Sequence, residues 1–357
     1  MPQKTSKKLS LSSIGYINEL VPWVYGWNPF GWGCTNKTCP TCYAKAQARQ
    51  LRMQEKPFCD KCANFEVHMH PERLGSPANT PKPGVVLGNF MNDWFDLNRP
   101  IRDVLTVLNA MLAAPWHNYV TCTKNPVWFA PFEFFRDYGL KATLDDQVAS
   151  GMSDFRHAGQ ARIGQPNWYH GLTIRGQMDM GKLETFLQVK GNTWLSLEPL
   201  WGQVVFGNHE LEKSWRVIDW KEDTPVSIDR NDPESRKVDK WHRKYPILGI
   251  IVGHDSVWEA PGTRTLRHVR SVVRQCRDTL TPCFVKQLWM GKCDQCGAVG
   301  ELEEGDTEST WECSACAGGP HPTGRLKPKL IDDPALFPED IRVRDLPWRM
   351  PAINPKQ

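Results

Sequence analysis

The stretch GVVLGNFMNDWFDLNRPIRDVLTVLNAMLAAPWHNYVTCTKNP, residues 84–126, contains the pattern that decides the fold. It opens on a short apolar run typical of a buried strand, and a second such run begins at Asn118. Between the two runs, residues 101–114 place apolar side chains at helical spacing. A strand, a helix and a strand in this order predict two parallel strands joined by a helical crossover.

The same kind of apolar run recurs along the chain, each time ending in polar or glycine residues. A second amphipathic helix is indicated over 265–280. We therefore predict an α/β fold, a TIM-type barrel or partial barrel of about six to eight parallel strands. The predicted strands lie in PWVYGWNP (22–29), GVVLGNFMND (84–93), NYVTCTKNP (118–126), NWYHGLTIRG (167–176), TWLSLEPLWG (193–202), ILGIIVGHDS (247–256) and TPCFVKQLW (281–289).

Composition limits the class of protein. The chain has 357 residues, 40% of them hydrophobic, which fits one large domain with additions or two domains. The formal net charge of +4 permits an anionic partner without demanding one. The start MPQKTSKKLSLSS has no apolar run behind its lysines, and no stretch approaches the roughly 18 apolar residues of a membrane helix. We expect a cytoplasmic protein that does not engage a membrane.

Polar residues follow one predicted strand after another. In parallel α/β folds the chemistry takes place at the carboxyl ends of the strands. Any one of these residues alone would be an ordinary loop residue, but their recurrence predicts a site along that edge. The candidates are Asn92, Asp93, Thr123, Lys124, Thr173, Arg175, Glu198, His254, Asp255, Lys286 and Gln287.

Two cysteine pairs near the C-terminus form the most specific motif. Cys293 and Cys296 are separated by sixteen residues from Cys313 and Cys316, and a turn-forming EEGD lies between the pairs. This spacing predicts a zinc ribbon, with rubredoxin-like iron as the less favoured alternative. Four thiolates close the coordination shell, so the site is expected to stabilise the fold and not to catalyse.

The N-terminal cysteines allow two interpretations. Cys39 and Cys42 also lie sixteen residues before Cys59 and Cys62, which would suit a second zinc ribbon. The intervening segment is rich in helix formers, whereas a ribbon needs a hairpin there. Alternatively, Cys34 joins Cys39 and Cys42, and three thiolates hold a [4Fe–4S] cluster with one iron open.

Cys59 and Cys62 then have other partners available. His68 and His70 follow them in the pattern C-x2-C-x5-H-x-H. Thiolate and imidazole are both common zinc ligands, so this spacing allows a second zinc site; the alternative is that the two imidazoles face solvent.

The three cysteines between a first strand and a first helix resemble the motif of the radical S-adenosylmethionine (SAM) superfamily. More closely, the chain resembles a family of phage-encoded proteins of unassigned function that carry a radical-SAM-like three-cysteine motif. The matching segments occur in order over roughly residues 22–290. They are WNPFGWGC, CPTCYA, HPERL, FMNDWFD, TCTKNP, HGLTIRG, LSLEPLWG, GIIVGHDS and PCFVKQLW.

The resemblance implies a partial barrel, a [4Fe–4S] cluster on Cys34, Cys39 and Cys42, and SAM as cosubstrate, cleaved to a 5′-deoxyadenosyl radical. It implies the host cell cytoplasm as location. The first gap of the motif is four residues where the superfamily usually has three. We see no clear Gly-Gly-Glu segment for the SAM amino group. GNFMND, ending at Asp93, stands in a comparable place.

If the chain is such an enzyme, the polar residues at the strand ends receive roles from their positions. Glu198, Lys124 and Lys286 are the candidate catalytic residues. The candidates for binding SAM or substrate are Asn92, Asp93, Thr123, Thr173, Glu198 and His254.

The expected substrate is a nucleic acid or a nucleotide, and the reaction needs an electron donor. The ribbon, aromatic residues near strand ends and a row of arginines on one predicted helix favour this substrate class. The aromatic residues are Trp94, Trp201, Trp258 and Trp289, and the arginines are Arg267, Arg270, Arg274 and Arg277.

The alternative is a non-enzymatic zinc protein that binds nucleic acid or another protein.

The predicted organisation has three parts. Residues 1–290 form the α/β core, interrupted by a polar insertion at 207–246. Residues 291–320 form the zinc ribbon, and residues 321–357 a C-terminal extension.

Overall fold

A computed structural model describes most of the chain. The predicted insertion at 207–246, together with Asp255 and Trp258, lies outside the described residues. The described residues are 7–12, 23–35, 39, 42–54, 59–88, 91–96, 98–126, 165–187, 192–206, 247–254, 266–302, 313, 315–316 and 326–345.

The centre of the molecule is an eight-stranded sheet whose spatial order follows the chain order. The first strand is antiparallel to the second, and each later strand is parallel to the one before it. All seven strands predicted from the sequence are present. The strands are β1 (Ser10–Leu11), β2 (Val24–Trp27), β3 (Val85–Gly88), β4 (Asn118–Thr123), β5 (Trp168–Thr173), β6 (Asn192–Leu197), β7 (Ile247–Val252) and β8 (Cys283–Val285).

The strand order is that of a singly wound sheet, without the reversal of a doubly wound fold. Over the described ranges the sheet is not closed, since no pairing joins its two edges. The C-terminal segment covers β8, where Val285 N donates to Val343 O at 2.9 Å and Asp345 N to Cys283 O at 2.8 Å. Both outer strands of the parallel part, β2 and β8, are therefore covered, which protects edges that would otherwise pair with other chains.

Helices pack against one face of the sheet. The two predicted amphipathic helices are confirmed. The first buries Val104, Leu108 and Met111 of its predicted apolar stripe, although Leu112 is exposed, and the second buries Val269 and Val272. Burying one such side chain fully contributes about 1.5–3 kcal/mol. The helices are α1 (Tyr43–Met53), α2 (Asp60–Ala63), α3 (Ile101–Leu112), α4 (Gly181–Phe186) and α5 (Arg267–Asp278).

The opposite face of the sheet has its own apolar cluster, to which none of the described helices contributes. We call it the inner face. Because side chains alternate along a strand, residues two apart on one strand, such as Val85 and Leu87 on β3, share this face. Its members are Val24, Val85, Leu87, Val120, Tyr169, Trp194, Ile251 and Phe284.

A small antiparallel sheet follows directly on β8. It has the order β10-β9-β11, with β9 (Leu288–Cys293), β10 (Val299–Gly300) and β11 (Leu326–Ile331). Strand β9 crosses position 290, where the sequence places the end of the core. Across the part of the chain that the structure describes, no helix has the length and apolar character needed to cross a membrane.

Candidate metal centres and the polar rim

The four cysteines of the predicted ribbon are gathered in space. Cys293 ends β9, and its Sγ lies 3.6 Å from Cys316 Sγ, as Cys296 Sγ does from Cys313 Sγ. All four sulphur atoms lie within 4.8 Å of one another. Tetrahedral zinc with Zn–S bonds of about 2.3 Å requires about 3.8 Å between sulphurs. The donor set and its spacing thus fit one metal ion.

Backbone groups prepare this site for thiolates. Gln295 N donates to Cys293 Sγ at 3.4 Å, and Gly297 N donates to Cys293 O at 3.1 Å. A hydrogen bond from the backbone N–H of Cys296 is the main reason why the pKa of Cys293 is lowered to about 6, whereas burial raises the pKa of Cys313 and the hydrogen bond to Cys296 raises that of Cys316. The thiolate is the form that binds metal, so this turn favours a bound ion.

Cys59 and Cys62 form a second compact group with His68 and His70, whose ligand atoms also lie within 4.8 Å of one another. His68 Nε2 lies 3.6 Å from Cys59 Sγ and 3.3 Å from Cys62 Sγ. Helix α1 occupies the segment where a second ribbon would need a hairpin, and Cys39 and Cys42 do not belong to the group. The interpretation of these four cysteines as a second ribbon is therefore wrong.

The three-cysteine loop joins β2 to α1. Cys34 follows Gly33, which forms a bridge with Asn92, and Cys42 is the N-cap of α1. The side chain of Lys124, one residue past β4, reaches this loop and donates from Nζ to Cys39 Sγ at 3.0 Å. The three thiols do not gather as ligands of a single ion.

The loop after β3 forms hydrogen bonds with the segments on either side of Cys34. Asn92 Nδ2 donates to Phe30 O at 3.1 Å and to Gly31 O at 2.9 Å. The Asp96 carboxylate accepts from Thr35 N at 2.5 Å and from Thr35 Oγ1 at 2.8 Å. Asn92, predicted to bind SAM or substrate, thus fixes the backbone just before Cys34. Asp96 fixes the residue just after it and was not predicted.

Asp93 and Thr123 are tied to each other. The buried Asp93 carboxylate accepts from Thr123 Oγ1 at 2.5 Å, from Lys124 N at 2.8 Å and from Asn125 Nδ2 at 3.1 Å. Burial raises the pKa of Asp93, and these hydrogen bonds oppose the rise. The pair holds the loops after β3 and β4 together and thereby positions Lys124 at the rim.

Four predicted residues continue the inner face at the carboxyl end of the sheet. Lys124 stands two residues after Cys122, Thr173 four after Tyr169, Glu198 four after Trp194, and Lys286 two after Phe284. Glu198 and Lys286 form a direct ion pair between the ends of β6 and β8. We call Lys124, Thr173, Glu198 and Lys286 the polar rim.

His254 stands apart from the polar rim. It is buried, and its Nδ1 accepts from Trp289 N at 3.0 Å. Its backbone N–H donates to Gln287 O at 3.1 Å, and its carbonyl accepts from Gln287 Nε2 at 3.1 Å. These contacts tie the end of β7 to the start of β9, which favours a supporting role for His254.

Two neighbours of the rim escaped the sequence prediction. Cys122 Sγ lies 3.2 Å from Thr173 Oγ1, and burial raises the pKa of this thiol to about 12. Asp179 forms a buried ion pair with Arg175 at 2.9 Å. Burial raises the pKa of Asp179, but hydrogen bonds from Arg175 and Lys182 prevail and lower it to about 2. Strand alternation is a signal that could have identified Cys122, two residues before Lys124, while nothing local marks Asp179.

Two features expected to meet nucleic acid are engaged elsewhere. Trp94 is fully buried, with its ring centroid 5.4 Å from that of Phe30 and 5.6 Å from that of Trp168. Arg270 on α5 forms ion pairs with Glu301 at 2.6 Å and with Asp340 at 2.7 Å. The expectation that Trp94 offers a stacking surface is wrong, and the arginine row is interrupted by carboxylates.

Comparison with known proteins identifies the family of the chain but assigns no activity to it. A family model with the description "Protein of unknown function (DUF5131)" matches residues 18–314. The match covers strands β2–β10 and both compact groups of metal ligands except Cys316. No curated protein matches the chain, and no solved structure does.

Proposed function

Because the chain belongs to the DUF5131 family, whose function is unknown, we propose a function from the site itself: a radical-SAM enzyme. One observation carries the proposal. Lys124 Nζ lies 3.0 Å from Cys39 Sγ, so the three-cysteine loop meets the polar rim of a mostly parallel sheet. A loop of three thiols at the carboxyl ends of parallel strands is where a cluster-dependent reaction would take place.

The residues of the loop fit a [4Fe–4S] cluster by the chemistry of their donors. Each thiolate of such a cluster binds a different iron, so its ligands stand farther apart than the ligands of one ion. This agrees with Cys34, Cys39 and Cys42 lying within nine residues of the chain without forming a single-ion group.

When bound, the cluster supplies one electron from an external donor that breaks a carbon–sulphur bond of SAM, giving methionine and a 5′-deoxyadenosyl radical. The chain's own residues orient the reactants. Lys124 is placed beside the cluster ligands, and Glu198 with Lys286 stands across the inner face. A carboxylate at that position can accept hydrogen bonds from the ribose hydroxyls or the ammonium group of SAM. Thr173 lies between them on β5.

The strand order supports the finer fold that we propose, a partial barrel. Seven consecutive parallel strands place their carboxyl ends along one edge, in the order of the chain. The apolar inner face beneath that edge would exclude water from a radical, as a barrel interior does.

We assign zinc to the four-cysteine site and give it no part in the reaction. The four thiolates leave no open coordination position, which is typical of structural zinc. We propose a nucleic acid or a nucleotide as substrate. Strand β9 leads from the polar rim into the ribbon, which supports this class, and α5 carries further basic side chains, Arg274 and Arg277, that could meet phosphates.

The experiment is a search for 5′-deoxyadenosine by mass spectrometry. Protein loaded with iron and sulphide without oxygen receives SAM, a strong reductant and, in parallel samples, single-stranded DNA, duplex DNA or nucleoside triphosphates. We expect 5′-deoxyadenosine from the parent and from Cys276→Ala, a cysteine on α5 outside the three clusters, but not from Cys34→Ala. No 5′-deoxyadenosine from the loaded parent with any of these substrates would overturn the proposal.

The second candidate is a zinc protein that binds nucleic acid or another protein without catalysis. The observation in its favour is that the described residues gather metal ligands in two closed groups of four. It predicts about two zinc ions and no iron per chain. It gives no reason for Lys124 to meet Cys39.

A further inference from the structure

The group Cys59, Cys62, His68 and His70 has the dimensions of a tetrahedral zinc site. Its nitrogen–sulphur separations are 3.3–3.6 Å, and the two Nε2 atoms are 3.1 Å apart. Zinc bonds of about 2.3 Å to sulphur and about 2.0–2.1 Å to nitrogen at tetrahedral angles require about 3.6 Å and about 3.3 Å. The four donors already stand at the corners of the coordination shell.

The outer ring nitrogens are held as in metal-binding histidines. His68 Nδ1 lies 2.7 Å from the carbonyl oxygen of Glu66, and His70 Nδ1 lies 2.7 Å from Glu72 Oε1. Both partners can only accept, so each Nδ1 carries the proton and each Nε2 offers its lone pair to the centre. A carbonyl or carboxylate behind the ring is the usual outer support of a zinc ligand.

The segment that leads into Cys34 lies directly on this group. Gly31 N donates to His68 O at 3.0 Å, His70 N donates to Pro29 O at 2.7 Å, and Trp32 N donates to Cys62 Sγ at 3.3 Å. Backbone hydrogen bonds on both sides of the histidines therefore bind residues 29–32 to the ligand loop. Cys34 is two residues farther on.

Glycines allow this close approach. A Cβ on Gly31 would lie 2.0 Å from the imidazole of His68, and a Cβ on Gly33 would lie 2.3 Å from the carbonyl oxygen of Glu66. Gly33 also has a φ of +155°, a conformation that favours glycine. Positions 31 and 33 therefore have no space for a side chain between the backbone and the metal-ligand loop.

We propose that Cys59, Cys62, His68 and His70 bind one Zn²⁺, and that this ion positions Cys34 by fixing the segment 29–33. Two thiolates and two neutral imidazoles suit zinc and close its shell, so the ion has a structural role. This site, unlike the ribbon, is hydrogen-bonded to the segment that leads into the three-cysteine loop. The inference does not depend on the radical reaction, because its readouts need neither iron nor SAM.

The first test measures zinc per chain in the full-length protein prepared without iron. The parent should hold about two zinc ions. Gly31→Ala, which changes no ligand, should lose about one of them because its methyl group displaces His68. Gly26→Ala is the matched control, since a Cβ there meets nothing within 4 Å. Two zinc ions retained by Gly31→Ala, or no zinc bound at Cys59 in the parent, would overturn the zinc site.

The second test measures the alkylation rate of Cys34 by peptide mass spectrometry in the same iron-free samples. Cys62→Ser should lose the ion and let Cys34 react about tenfold faster, since the segment 29–33 can then open locally. His68→Cys keeps four zinc ligands and should retain both zinc and the slow rate. An unchanged Cys34 rate in Cys62→Ser that has lost its zinc would overturn the positioning role while leaving the radical-SAM proposal untouched.

Discussion

The two compact ligand groups have the same number of donors and different surroundings. The four-cysteine group stands on the small sheet, where Cys296 is exposed and the contacts are backbone turns of its own loops. The group of Cys59, Cys62, His68 and His70 is covered by residues 29–33, which continue to Cys34. The difference indicates that two ligand groups of one chain are suited to separate purposes, one within its own loops and one at a neighbouring loop.

The largest expected effect comes from removing the ribbon's ion. Cys313→Ser should cost about one zinc ion per chain and leave the alkylation rate of Cys34 unchanged, because the described contacts of the ribbon cysteines lie within their own loops. Zinc analysis and peptide mass spectrometry check both values, with Cys276→Ala as control. A faster Cys34 reaction in Cys313→Ser would break the comparison.

A change outside the ligands should separate the two groups by affinity. Glu72→Gln removes the carboxylate behind His70 and should weaken zinc at that site by about 10- to 100-fold. Competition with a chelator measures the two zinc ions of one sample. The ribbon's ion serves as the internal control, and equal weakening of both would contradict the assignment.

A third variant should lower stability without touching either ion. The pKa of Asp179 is about 2 in the folded chain, against an ordinary value of 3.8, so its stabilisation is complete above about pH 4 and is lost as the pH falls through 2. Asp179→Asn should lower the free energy of unfolding by about 2 kcal/mol at pH 7.

Denaturant unfolding from pH 7 down to pH 2 measures this difference, which should shrink as the parent's carboxylate takes up its proton. The zinc content should stay at the parent's value. Loss of zinc in Asp179→Asn would mean that metal retention follows overall stability, and the contrast between the two sites would then carry no meaning.

The smallest effect concerns the link between the ribbon and α5. Arg270→Met removes ion pairs to Glu301 and Asp340, which are partly exposed and together contribute about 1 kcal/mol. The loss should shrink in high salt. Arg274→Met, an exposed arginine on the same helix, should change stability by less, and a larger loss in that control would refute the link.

The sequence predicted what local patterns determine. Seven strands, the two long helices and the ribbon's cysteine pairs each follow from the spacing of apolar residues or thiols within a short segment. The pattern of Cys59, Cys62, His68 and His70 likewise lies within twelve residues. Strand β1 escaped because two residues give no periodicity.

Contacts between segments that are distant in the chain could not be predicted from the sequence. Lys124 and Cys39 are 85 positions apart, and Lys286 and Glu198 are 88 apart. The closeness of Gly31 to His68 depends on how two loops pack, which no spacing of residues records. The sequence placed Glu198 and Lys286 at strand ends, but only the fold brings them together.

The central claim is tested most directly by iron and zinc per chain in protein purified and loaded without oxygen. The account predicts about four iron atoms in the parent and almost none in Cys34→Ala, with about two zinc ions in both. Zinc alone in the parent, unchanged by the loss of Cys34, would contradict it and leave the three-cysteine loop as a structural element.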